Sequence, residues 1–219
     1  MILRQGPSKV SRLILWHRDS DRFEDGQWLK HKVYPDRCDL SPDGQHFLFF
    51  ALDGKWPTET KGSYTAISKP PYFTALTLIP QGDTWGGGGR FLDNHHYIID
   101  ANTETALFDE AKDIHRVYKG APGKGCTTGL RLANNTPAPL DPDIRNQLLG
   151  RTKPDRDTAL DHYETRLGCL YRLTGTGEKL IRDFSDMAFE PIRAPYDTHL
   201  SDVQSVNAST WHPLDGETS

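Results

Sequence analysis

The chain has no long hydrophobic run, few cysteines and no excess of basic charge. No segment approaches the roughly 18–20 consecutive apolar residues that a membrane-spanning helix requires. Met1 to Val10 lacks the apolar centre of a secretory signal. Cys38, Cys126 and Cys169 are widely spaced and odd in number, so they form neither a disulfide framework nor a CxxC metal pair. They are expected to be reduced thiols in a cytoplasmic protein. The net charge is −4, and the basic stretch of Arg151, Lys153 and Arg156 has Asp155 and Asp157 among it. Nucleic-acid binding requires Lys and Arg clustered in excess, so no such partner is expected. Hydrophobic residues reach only 36%, yet aromatics make up 10% with five Trp, which suits a core built from large rings. Gly 19 and Pro 15 point to many turns and few long helices.

Short strands separated by turn residues dominate the pattern. Ser11 to Arg18 alternates, as does Gln27 to Tyr34 around Trp28 and Val33, with the polar stretch from Asp19 to Gly26 between them as a turn. Phe47 to Leu52, Tyr64 to Ile67 and Phe73 to Ile79 read as strands. Arg90 to Leu92 and His96 to Asp100 form a hairpin turning at Asp93-Asn94, and Thr105 to Phe108 and His115 to Tyr118 continue the series. Cys169 to Leu173 and Lys179 to Phe184 flank a Thr174-Gly175-Thr176-Gly177 turn. Thr158 to Leu167 fits a helix or a strand, and Phe189 to Ile192 an edge-like piece, since Pro191 cannot donate to a ladder. One segment breaks the pattern. Asp141 is an acidic N-cap, Pro142 occupies the first helical position and Gly150 ends the run, so a short helix is expected near 141–150. At 219 residues the chain is expected to hold one β-rich domain over 1–196, with a polar tail over 197–219.

The densest local signal is Asp39-Leu40-Ser41-Pro42-Asp43-Gly44 leading into Phe47-Leu48-Phe49-Phe50. Pro42 presets φ for a turn corner, Asp43 bonds its own backbone, and Gly44 accepts a positive φ. The aromatic run then favours a buried strand. This dozen residues resembles the L-S-P-D-G turn of the TolB-like and WD40-like β-propeller repeats. The resemblance implies a mainly β fold of antiparallel sheets in a partial or irregular β-propeller, and a scaffold or adaptor role; the Ser-Pro-Asp-Gly variant suits a bacterial origin. Stretches centred on Phe47, Tyr97 and Tyr171 look alike, with no fixed period. At about 40–45 residues per blade the chain supplies four or five blades at most.

Chemistry is thinly marked. Thr84-Trp85-Gly86-Gly87-Gly88-Gly89-Arg90 permits close backbone approach to a partner, with Trp85 and Arg90 to grip it; the alternative is a hairpin loop whose Trp folds onto the core. No helix follows, so no dipole holds phosphate there. Gly120 to Gly129 lacks the Gly-Lys-Ser/Thr of a phosphate loop, because Gly125 follows Lys124. His95 and His96 are neighbours that point to opposite faces of a strand, so they do not share one ion, and no H-x-x-x-H spacing exists. No G-x-S-x-G elbow is present. Trp56 and Trp85 stand in polar loops, where aromatic residues anchor protein interfaces or fold back onto the sheet.

These readings converge on a non-catalytic protein-binding module of a cytoplasmic complex. Its candidate interface is Trp56, Trp85, Gly86, Gly87, Gly88, Gly89 and Arg90, and no cofactor or metal is expected. Two alternatives stay open. One is a hydrolase using His95, His96, His115 or Cys126 on loops. The other is a small obligate subunit whose sheet edge a partner closes.

Overall fold

The computed structural model describes residues 1–6, 9–100, 106–119, 129–151, 158 and 160–197. Cys126, the 120–128 glycine-rich loop and the tail from 198 lie outside them. The fold class is the expected one: mainly β, in several antiparallel sheets, with one short α-helix among the described residues. The N-terminal sheet joins β1 (Ile2–Gln5), β2 (Ser11–His17) and β3 (Arg22–Leu29). The central sheet takes β4 (Lys32–Val33), β5 (Asp39–Leu40), β6 (Phe47–Leu52), β7 (Ser63–Ser68) and β8 (Ala75–Pro80). A third sheet holds β9 (Gly89–Phe91) and β10 (His96–Ile99). Beyond it, β11 (Phe108–Asp109) returns to pair with β8, and β12 (His115–Arg116) joins β10 in parallel. A fourth sheet is the pair β13 (Tyr118–Lys119) and β14 (Leu130–Arg131). The C-terminal sheet is β15 (Tyr163–Arg166), β16 (Cys169–Thr174) and β17 (Gly177–Asp183).

Strand alternation sends neighbouring residues to different cores. On β2, Leu13 packs toward Phe47, Phe49 and Tyr64 of the central sheet, whereas Ile14 and Trp16 pack toward Leu170 and Phe184. On β6, Leu48 turns the other way, to Phe91 and Tyr97. On β10, Tyr97 faces that core while Ile98 faces Val117 and Leu130. The described sheets therefore stack face to face in the order C-terminal, N-terminal, central, third and fourth. The helix α1 (Pro142–Leu148) covers the fourth through Ile144 and Leu148, with Asp141 Oδ1 accepting from Asp143 N at 2.8 Å as the N-cap.

Several boundaries differ from expectation. β3 begins at Arg22, so the turn after β2 is shorter than Asp19 to Gly26; Phe23 stacks on Trp16 with centroids 6.1 Å apart and draws the strand outward. The strand expected from Gln27 to Tyr34 breaks, because β4 leaves its first sheet to pair with β6 and bury Val33. His115 to Tyr118 divides between two sheets. The described part of Thr158 to Leu167 resolves as the strand β15. Phe189 to Ile192 forms no strand and instead straps the sheets together: Arg12 pairs with Glu190, Trp28 meets the Phe189 ring, and Gln27 Nε2 donates to Ile192 O at 2.9 Å. The strap ends where the Tyr196 hydroxyl donates to Thr74 O at 2.8 Å.

Candidate functional site

Because β6, β7 and β8 run antiparallel, the β6–β7 and β8–β9 loops leave the central sheet at the same end. Gln81 N donates to Ser63 O at 2.8 Å, holding the two loops side by side. Trp56 sits on the first loop and Trp85 on the second. Trp56 is half exposed and lies against Gly62, where a Cβ would stand 2.4 Å from the indole. Trp85 is 94% exposed, so it does not fold onto the core.

The loop that carries Trp85 is pinned on both sides. Asp83 Oδ1 accepts from Trp85 N at 2.9 Å and from Gly86 N at 3.1 Å. Arg37, stacked 4.9 Å over the Phe50 ring, donates to Thr84 O at 3.0 Å and Gly86 O at 2.8 Å. Gly87 N donates to Asp100 O at 2.6 Å and Gly88 N to Thr65 Oγ1 at 2.8 Å. The glycines serve this packing. A Cβ would stand 2.3 Å from the Phe50 ring at Gly87, 2.4 Å from Arg37 O at Gly88 and 2.0 Å from Ile98 O at Gly89. The close approach expected of the glycine run is thus made to the protein's own core. Arg90 is exposed on β9 and lines a different feature, a polar cavity of about 500 Å³ with Asp36, Asp39, Asp100 and Lys119.

The Ser41-Pro42-Asp43-Gly44 turn lies at the opposite end of the same sheet and joins β5 to β6. Ser41 Oγ donates to Asp43 Oδ1 at 2.6 Å and accepts from His46 N at 2.9 Å, and Gly44 has φ of +73°. Asp39 reaches from β5 to the third sheet, its Oδ2 accepting from Phe91 N at 2.7 Å. Burial pushes its carboxyl above the ordinary range, against the pull of the Phe91 and Leu40 amides. Burial also pushes the Cys38 thiol up to about 12, so it stays protonated at neutral pH. A larger cavity of about 970 Å³ opens between this turn and β1, β2 and β15, with an apolar wall that includes Leu15, Leu40 and Leu170.

The turn between β9 and β10 docks beside the Ser-Pro-Asp-Gly turn through Asp43 N to Asn94 Oδ1 at 3.0 Å, which brings the histidines together. His96 is buried and its Nδ1 lies 2.9 Å from both Asp93 carboxylate oxygens. The His115 ring lies 6.2 Å from the His96 ring, and His95 Nδ1 is 3.2 Å from Asp113 O. His46, which the sequence did not mark, is buried at the seam with its Nδ1 unpartnered. Burial holds its pKa below the usual imidazole range. Among the described residues no group of three or more His, Cys, Asp or Glu is placed to hold a metal ion, and no helix is long and apolar enough to cross a membrane. Compared with protein-family models, with curated proteins and with solved structures, the chain matches none of them.

A further surface escaped the sequence reading. The outer face of the C-terminal sheet carries Tyr171, Leu173 and Leu180, and Leu180 is 50% exposed. The only sequence cue is an apolar residue on alternate positions of Leu173 and Leu180 strands rich in charge, a pattern shared by any half-buried strand.

Proposed function

We propose that this chain is a non-catalytic protein-binding module on a propeller-like stack of β-sheets, and that it engages its partner at the tryptophan-bearing end of the central sheet. The observation that carries the reading is Trp85, almost wholly exposed on a loop fixed by Asp83, Arg37 and Asp100. Exposing an indole to water wastes its large apolar area unless something covers it. A pinned loop loses little conformational freedom when it is covered, which favours affinity. Trp56 on the adjoining loop adds a second anchor, and aromatic anchors of this kind dominate interface energetics.

The propeller-like reading draws support from the stacking order, in which the N-terminal, central, third and fourth sheets pack face to face in chain order and the C-terminal sheet packs back onto the N-terminal one. The Leu40–Gly44 turn, which leads from β5 into the aromatic strand β6, is consistent with the same reading. A role as a small subunit of a larger assembly is compatible with the same site.

The test is cross-linked capture of the tagged chain from its native cell, compared with a Trp56→Ala, Trp85→Ala double variant. A protein recovered in stoichiometric amount with the parent chain and lost with the variant, at unchanged melting temperature, is the expected result. Identical recovery from both would overturn the assignment of this end as the interface.

A further inference from the structure

We propose that the polar cavity beside β9 binds a free α-amino acid. The site is separate from the pair of tryptophans and needs no partner protein. Its volume of about 500 Å³ falls in the ordinary range of small-molecule pockets. β5, β9 and β13 are edge strands of the central, third and fourth sheets, and each contributes to the cavity wall. Four exposed charges line it: Asp36 on the short helical turn Pro35–Arg37, Arg90 on β9, Asp100 just after β10, and Lys119 on β13. Gly88 joins two of these segments. Its carbonyl accepts from Asp100 N at 2.9 Å, and a Cβ on it would stand 2.4 Å from the Arg37 carbonyl oxygen. Arg90 lies opposite Ile98 in the ladder and Asp100 follows Ile98 by two, so the three share one face.

Charge without pairing marks the cavity. None of these four side chains makes an ion pair or a hydrogen bond with the described residues. Elsewhere on the molecule opposite charges do meet, as in Asp21 with Arg172 at 2.9 Å and Asp25 with Arg182 at 2.6 Å. Two carboxylates and two cations that line one space and stay apart complement a ligand carrying one charge of each sign.

Two further lining residues are already committed to the fold. Asp39 Oδ1 accepts from Leu40 N at 3.0 Å and its Oδ2 accepts from Phe91 N at 2.7 Å. The Cys38 thiol donates to Tyr34 O at 3.1 Å. Both therefore shape the wall, and the ligand is left to the other four.

Their balance chooses the ligand class. Asp36 and Asp100 offset Arg90 and Lys119, so a zwitterion without net charge fits where a simple anion or cation would meet two groups of its own sign. The planar fork of Arg90 matches a carboxylate, and Lys119 adds a point charge beside it. Asp36 and Asp100 receive the ammonium group. Ile98 and Cys38 are the only apolar side chains of the lining, so a short or polar amino-acid side chain suits the space better than a large apolar one.

Isothermal titration calorimetry of the full chain with the common L-amino acids tests this. Each is taken to about 10 mM, enough to fill a site whose Kd is about 1 mM. At least one amino acid with a short or polar side chain should bind. Its methyl ester and its N-acetyl derivative each lack one charge and should bind about tenfold more weakly or worse, because a charged group of the site then stays unpaired. Arg90→Gln should erase the advantage of the amino acid over its ester, and Asp100→Asn its advantage over the N-acetyl form. Both positions are exposed, so the melting temperature should hold. The Trp56→Ala, Trp85→Ala variant should bind as the parent does, which keeps this site distinguishable from the proposed partner site. No binding of any amino acid, equal binding of the three forms, affinity indifferent to the Arg90 and Asp100 changes, or binding lost in the tryptophan variant would each overturn the inference.

Discussion

The central sheet and the C-terminal sheet are both antiparallel and similar in strand length, yet they are buried differently. Every residue of β7 is buried, and β6 is buried from Phe47 to Ala51. In β17 the burial pattern is exposed over its first four residues. The difference follows from position in the stack. The central sheet has a neighbour on each face and can use aromatic side chains on both, whereas the C-terminal sheet has one neighbour among the described residues and keeps polar and aliphatic side chains on the other. Composition mirrors this. Phe47-Leu48-Phe49-Phe50 runs apolar without alternation, while Glu178-Lys179-Leu180-Ile181-Arg182-Asp183 does not. Burial is thereby divided unequally between two sheets of the same type.

Substitution tests that division most severely. Phe49 is fully buried and packs edge-to-face on Phe73 at 5.2 Å and on Tyr64 at 6.3 Å. Phe49→Ala should cost about 3–5 kcal/mol in denaturant unfolding, as other large-to-small core changes do. Leu180→Ala should stay within about 0.5 kcal/mol, as surface changes do. Equal losses would abolish the contrast.

The strap gives the next largest effect. Buried Gln27 accepts through Oε1 from Phe73 N at 2.7 Å and Thr74 N at 2.9 Å, besides its donation to Ile192. Gln27→Ala leaves those amides unsatisfied and should cost about 2–3 kcal/mol. Hydrogen exchange should then rise along the β7–β8 connection and the 184–197 strap together. A rise confined to one of them would mean that the strap does not couple the sheets.

Gly44→Val should lower stability by about 1 kcal/mol or more, because a β-branched residue resists the positive φ of that turn. An unchanged melting temperature would remove the turn from the elements that hold β6.

The smallest effect is proton-linked. His46 sits where the central and third sheets meet, and burial keeps it neutral in the fold. As pH falls through the ordinary imidazole value of about 6.5, the unfolded chain binds a proton that the folded chain resists. Stability should therefore fall in that window and level off once pH drops below the depressed folded value. His46→Phe should flatten the slope. A slope unchanged in the variant would separate the pH dependence from His46.

The sequence disclosed what is locally encoded. The Asp141-Pro142 cap, the Ser-Pro-Asp-Gly turn and the Thr174–Gly177 hairpin each carry their conformation in neighbouring residues. The strap was not legible, because its partners lie far along the chain: Gln27 meets residues near 73 and 192. The site was legible in part. Trp56 and Trp85 stood out as rings in polar loops, but their adjacency depends on the antiparallel order of β6, β7 and β8. The glycine run was readable as a place of close approach, not as an approach to Phe50 and Arg37. Arg90, one residue beyond it, joins Asp36 and Lys119 around a separate cavity because β9 turns it toward another neighbour.

The measurement closest to the central claim is oxidative footprinting of Trp85 in the native cell extract against the purified chain. A partner at the tryptophan-bearing end predicts strong protection of Trp85, and weaker protection of half-exposed Trp56, in the extract alone. Equal oxidation of Trp85 in both would contradict it.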